Sequence, residues 1–132
     1  MIEIAYPYEL SEQLAFLTAC ATVLIGAILM IFPVRMARFL GLIPLEGTQN
    51  GISEIRGPFA GMWVGLGLAC IILAQPFTYF ALGTAFLFAV LGRLISFVFD
   101  RSFNFHCLIA TAIEVAGAVF TLYFALQAFG IV

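Results

Sequence analysis

The sequence predicts an all-α integral membrane protein, one domain of four spanning helices in an antiparallel bundle. Three observations carry that expectation. Hydrophobic residues make up 64% of the chain and charged ones 9%, whereas a soluble domain carries about a quarter charged residues. Four windows approach the ~20 apolar residues that a helix needs to cross a hydrocarbon core. Those windows are continuous runs without two-residue alternation, and they are too long for membrane strands.

The first span is expected at about 14–32, "LAFLTACATVLIGAILMIF", closed by Pro33. Ahead of it, "MIEIAYPYELSEQ" is acidic and lacks Lys and Arg, so it does not read as a cleaved signal. Tyr6 and Tyr8 suit the headgroup zone. Ser11 is the expected N-cap, with Glu12 and Gln13 in the first turn.

The following segment, "VRMARFLGLIPLEGTQNG", is expected to lie on the membrane surface. Val34 to Leu40 can continue as an interfacial helical turn, with Arg35 and Arg38 near phosphates and Phe39 and Leu40 dipping inward. Gly41 is a natural stop, Pro44 blocks continuation, and "EGTQNG" is turn chemistry.

The second span is expected at about 58–74, the third at 77–99 and the fourth at 107–129. Pro58 leaves two openings for the second. A helix beginning near Ile52 would lose a hydrogen bond and bend at Pro58. A helix beginning at Gly57 would take Pro58 as a good first-turn residue. The short links between spans two and three, and three and four, predict direct packing of those neighbours.

Arginine placement sets the orientation. Arg35, Arg38 and Arg56 fall between spans one and two, and Arg101 between spans three and four. The termini and the "QPF" link carry no positive side chain. The positive-inside rule therefore puts both termini on the non-cytoplasmic side.

Against this background Arg93 stands out, inside "VLGRLISFVFD". It lies roughly 9 Å above the cytoplasmic end of span three, and Glu114 lies about 10 Å into span four, at the α-helical rise. A lone charge at that depth costs several kcal/mol. Two opposite charges at one depth on consecutive helices are therefore expected to pair, the planar guanidinium suiting a carboxylate bidentately. The pair reads as a staple fixing helix register, or as a substrate or proton-handling site; the remaining reading is two side chains snorkelling separately.

Arg93, Ser96 and Asp100 share a helix face by their spacing. With Glu54 and Arg56 at the mouth of span two, the expected polar cluster is Glu54, Arg56, Arg93, Asp100 and Glu114. No such charge occurs in the outer half of any span, which weighs against a continuous ion path.

Gly57, Gly61 and Gly65, spaced by four, form a tandem small-residue face with Glu54 one turn below. Spans three and four answer with Ala85, Ala89 and Gly92, and with Ala112, Ala116 and Gly117. These positions are expected to pack the four helices together, or to dock a helix of another protein.

No cofactor and no metal is expected. His106 is the single histidine, and no nucleophile arrangement accompanies the Ser and Thr residues. Cys20, Cys70 and Cys107 lie far apart in apolar sequence and read as packing residues. Five arginines without a lysine make no nucleic-acid patch. Trp63, the one tryptophan, falls inside span two and can face lipid or a neighbouring helix.

The ordered set "SEIRGPFAGMWVGLGL", "LGRLISFVFD" and "EVAGA" resembles domain-of-unknown-function family 4345, small bacterial four-helix membrane proteins. The likeness covers roughly 14–126. Phe59, Ala60 and Gly61 stand where that family usually shows a Tyr-Gly-Gly-like stretch. The resemblance implies a four-span inner-membrane protein and no activity.

The expected function is a non-enzymatic accessory or scaffold subunit that meets other integral membrane proteins within the lipid bilayer. One alternative is a small carrier or receptor for an anionic or lipid-like molecule held in the cytoplasmic half by Arg56 and Arg93. The other is a membrane enzyme using Glu54 or Glu114 as acid or base.

Overall fold

A computed structural model describes residues 7–43, 46–47 and 49–132. Tyr6 and Pro44, named above, lie outside the described residues. Among the described residues the chain forms five helices and no strand. They are α1 (Leu10–Ile31), α2 (Pro33–Phe39), α3 (Asn50–Leu73), α4 (Pro76–Phe99) and α5 (Phe105–Ala128). All but α2 are long and apolar enough to cross a membrane. No more than 28% of the residues in each span's apolar window are buried inside the chain. Large apolar side chains such as Leu17, Leu24, Phe88, Val98 and Val119 are exposed, the distribution that suits helices long and apolar enough to span a membrane.

The helix ends follow local chemistry. Helix α1 is capped at Glu9, not at Ser11. The Glu12 carboxylate accepts the Tyr8 N–H at 3.1 Å, which starts the helix earlier than Ser11 would. Phe32 leaves helical geometry before Pro33, and Pro33 opens α2. Helix α2 stops at Gly41, whose φ of +75° allows the Leu42 N–H to reach the Ala37 carbonyl at 2.7 Å. Phe39 is exposed, and its ring meets that of His106 edge-on at 5.4 Å. Helix α5 is capped by Asn104, whose Oδ1 accepts the Cys107 N–H.

Helix α3 begins at Asn50, so it extends well below the boundary expected near Pro58. Pro58 sits inside it, within a π-helical turn at Ile55–Phe59. Proline has no N–H for the usual bond four residues back. The wider turn accommodates that loss, and the Ala60 N–H bonds to the Ile55 carbonyl.

The helices pack as two close pairs. In the first, α1 buries Ala15, Ala19, Thr22, Gly26 and Leu29, alternating four and three apart, against Ala60, Gly67 and Cys70 of α3. Gly67 lies over Ala19 and Val23, while Gly26 lies over Ala60 and Val64, so one number rises as the other falls. In the second pair, Gly83 of α4 meets Thr121 and Leu122 of α5, and Gly117 meets Phe86. Small residues let backbones approach where dispersion, not water exclusion, drives association. Buried hydroxyls bond within their own helices, Thr22 to the Thr18 carbonyl and Thr121 to that of Gly117.

The pairs join through a core of Ala15, Ala19, Cys70, Tyr79, Leu82, Ala118 and Ala125. That core lies toward the tight turn at Ala74 and Gln75. The direct α3–α4 packing expected from this short link is sparse and runs from the turn as far as the Trp63–Phe86 ring contact, while α3 packs mainly on α1 and α4 mainly on α5.

Candidate functional site

Divergence of α3 from α4 leaves a groove of about 730 Å³. Phe59, Met62, Trp63 and Leu66 line it from α3. Leu82, Ala85, Phe86 and Ala89 face them from α4. Leu66 to Glu54 is a path of about 18 Å along α3 at the α-helical rise. Thr22 of α1 and Glu114 of α5 form parts of the floor. The edge of Trp63 meets Phe86 with ring centroids 5.7 Å apart, bracing the two walls across the floor.

One end of the groove is polar. Arg93 donates from Nε to Oε2 of Glu114 at 2.7 Å. Glu114 is buried and Arg93 half-buried. The expected fork is instead this one bond, and Arg93 has no second carboxylate partner among the described residues. The register explains the meeting. Arg93 lies two turns beyond Phe86 on the face that α4 presents to α5, and Glu114 occupies the seam position before Gly117 and Ala118. Ser96, one turn further, also lines the groove and shares a hydrogen bond with Ser102 at 2.9 Å between hydroxyls.

Glu54 is the third charged residue of the groove. Its place depends on the π-turn. Counted by an unbroken α-helix, Glu54 falls on the glycine stripe. A π-turn carries one extra residue and so rotates everything before it by about 100°. That rotation moves Glu54 off the stripe and onto the face of Phe59, Met62 and Leu66. Glu54 forms no ion pair among the described residues.

The five residues of the expected polar cluster therefore divide. Arg93, Glu114 and Glu54 share the groove. Arg56 faces a separate crevice of about 470 Å³ with Arg35, Phe32, Gln49 and Ile52. Asp100 is exposed at the end of α4, beyond the groove. Arg35 lies 5.7 Å from the Phe32 ring centroid.

The glycines expected to pack the helices need correcting. A Cβ placed on Gly57, Gly61, Gly65 or Gly92 would meet nothing within 4 Å. The close approaches belong to Gly26, Gly67, Gly83 and Gly117 instead. Four-residue spacing marks a face, not what covers it, and α3 turns its Gly57–Gly65 face away from α1. Ala85 and Ala89 line the groove, where their small size leaves its volume open.

Sequence reasoning missed the groove walls. The spacing of Phe59, Met62, Trp63 and Leu66 marks one large-residue face of α3, and this was the available signal. Among the described residues no group of three or more His, Cys, Asp or Glu stands close enough to hold a metal ion.

A family described as "Domain of unknown function (DUF4345)" matches residues 12–125. Neither the curated proteins nor the solved structures include a match to this chain.

Proposed function

The chain belongs to the DUF4345 family, whose function is unknown, and from that premise we propose that it is a non-enzymatic carrier or receptor for an amphipathic molecule. The molecule lays its apolar tail between α3 and α4 and brings its polar end to Glu54, Arg93 and Ser96. The observation that carries this reading is the groove itself. It is long and apolar, with polar side chains gathered at one end, as binding sites for small molecules commonly are. The protein works in the cytoplasmic membrane of a bacterium as an antiparallel bundle. Both termini are outside and the Arg93 end lies toward the cytoplasm, in keeping with the arginine-bearing loops.

Purification from native membranes in mild detergent, followed by mass spectrometry of the released small molecules, tests the proposal. One amphiphile should be retained in stoichiometric amount by the natural chain. It should be lost from Ala89→Phe, which fills the groove. Equal retention by both chains would remove the proposal.

A second reading rests on a separate observation. Gly57, Gly61 and Gly65 form an open small-residue face on α3, suited to a helix of another integral membrane protein. On this reading the chain is an accessory subunit, and a partner protein, not an amphiphile, is recovered with it at fixed ratio.

A further inference from the structure

The groove sets two carboxylates, Glu54 and Glu114, against one guanidinium, Arg93. Arg93 is engaged by Glu114 at 2.7 Å. Arg56, which a ligand anion was expected to use, opens into the other crevice. Asp100, Arg101 and His106 do not line the groove. Its polar end therefore carries an excess of negative charge, and the carboxylate left over is that of Glu54.

We propose, resting on the carrier or receptor reading above, that the amphiphile taken by this groove carries a cationic ammonium head. The head sits beside Glu54 at the mouth, and the tail runs past Met62 and Trp63 toward Leu66 and Leu82. Charge complementarity selects the head. An ammonium gains there a carboxylate that has no ion-pair partner among the described residues, and leaves the Arg93–Glu114 bond intact. A carboxylate or phosphate head without an ammonium would face Glu54 unfavourably and could recruit Arg93 only by competing with Glu114 for it. The length and apolar lining of the groove select the tail.

Trp63, the single tryptophan, lines the groove and reports occupancy. The full chain is placed in zwitterionic nanodiscs, and Trp63 quenching is followed with one brominated alkyl chain capped by ammonium, hydroxyl or carboxylate. Brominated-acyl phosphatidylethanolamine in the bilayer forms a further arm, separating a lipid-borne ammonium from a free one. Quenching of Ala89→Phe gives the contribution of bulk lipid. Probe concentrations are expressed per bilayer lipid, so that partitioning does not imitate selectivity.

The free ammonium probe, the lipid-borne one, or both should show excess quenching at about tenfold lower concentration than the carboxylate probe, a difference of ~1.4 kcal/mol. Glu54→Gln, at an exposed position outside the ion pair, should abolish that advantage, so that the ammonium and carboxylate probes quench at similar concentrations. Equal excess quenching by all heads, or preference for the carboxylate, overturns the head assignment while the groove remains a tail site. Excess quenching by none of the probes overturns the groove reading and this inference together.

Discussion

Arg93 meets Glu114 on the same interhelical seam as Phe86 meets Gly117, two helical turns further from the Ala74 turn. The ion pair is thus an extension of the α4–α5 packing surface. It occupies a position that would otherwise hold an apolar side chain.

Removing one partner leaves the other charge in an apolar seam. Arg93→Leu and Glu114→Leu should each destabilise the bundle by about 3–5 kcal/mol. Replacing both, with Arg93→Met and Glu114→Leu together, should recover most of that loss. Detergent-denaturation curves of the purified chain measure all three. Single variants as stable as the natural chain would mean that the two side chains are solvated independently.

Glycine substitutions should sort by what their Cβ meets. At Gly67 it would stand 2.6 Å from Val23 Cγ2 and 2.9 Å from the Ala19 carbonyl oxygen. Backbone cannot swing aside, so Gly67→Ala should cost roughly 1–3 kcal/mol. Gly61→Ala meets nothing within 4 Å and should stabilise an isolated chain by up to about 1 kcal/mol through helix propensity. The same denaturation assay separates the two signs.

Ala74 turns the chain between α3 and α4 with φ 48° and ψ 36°. Left-handed backbone costs an L-residue roughly 1–2 kcal/mol, which glycine avoids. Ala74→Gly should therefore raise the unfolding midpoint by the equivalent of up to about 1 kcal/mol, after glycine's larger unfolded-state entropy is subtracted. Loss of stability would show that the alanine methyl makes a packing contribution larger than the strain.

Topology is open to a direct assay. A periplasmic phosphatase fused after Val132 should be active, and the same enzyme fused after Arg101 should be inactive. The reverse pattern would invert the bundle and place the Arg93 end outside.

Much of this architecture was legible in the sequence because hydropathy and depth are properties of single helices. The four spans followed from apolar length, and Arg93 and Glu114 followed from equal depth on consecutive helices. What failed involved phase between helices. Gly57, Gly61 and Gly65 have the right spacing for a packing face, yet spacing carries no information about which neighbour lies opposite. Ala15, Ala19, Thr22 and Gly26 of α1 held the missing signal, a four-three alternation of small residues matching their burial. The groove was hidden for another reason. A two-residue link implies adjacency, but adjacency at one end does not prevent divergence at the other. Spacing alone puts Glu54 on the wrong face because it admits Pro58 as a bend or a start, and the third possibility, a widened turn, shifts the count by one.

That widened turn has a consequence for comparing this chain with its relatives. A π-turn is, in evolutionary terms, a one-residue insertion accommodated without breaking the helix. A family member that keeps an acidic residue on the groove wall but has ordinary α-helical backbone there should be one residue shorter between the positions of Glu54 and Ala60. An alignment gap at that point would then record a conserved direction of a side chain, not a lost function.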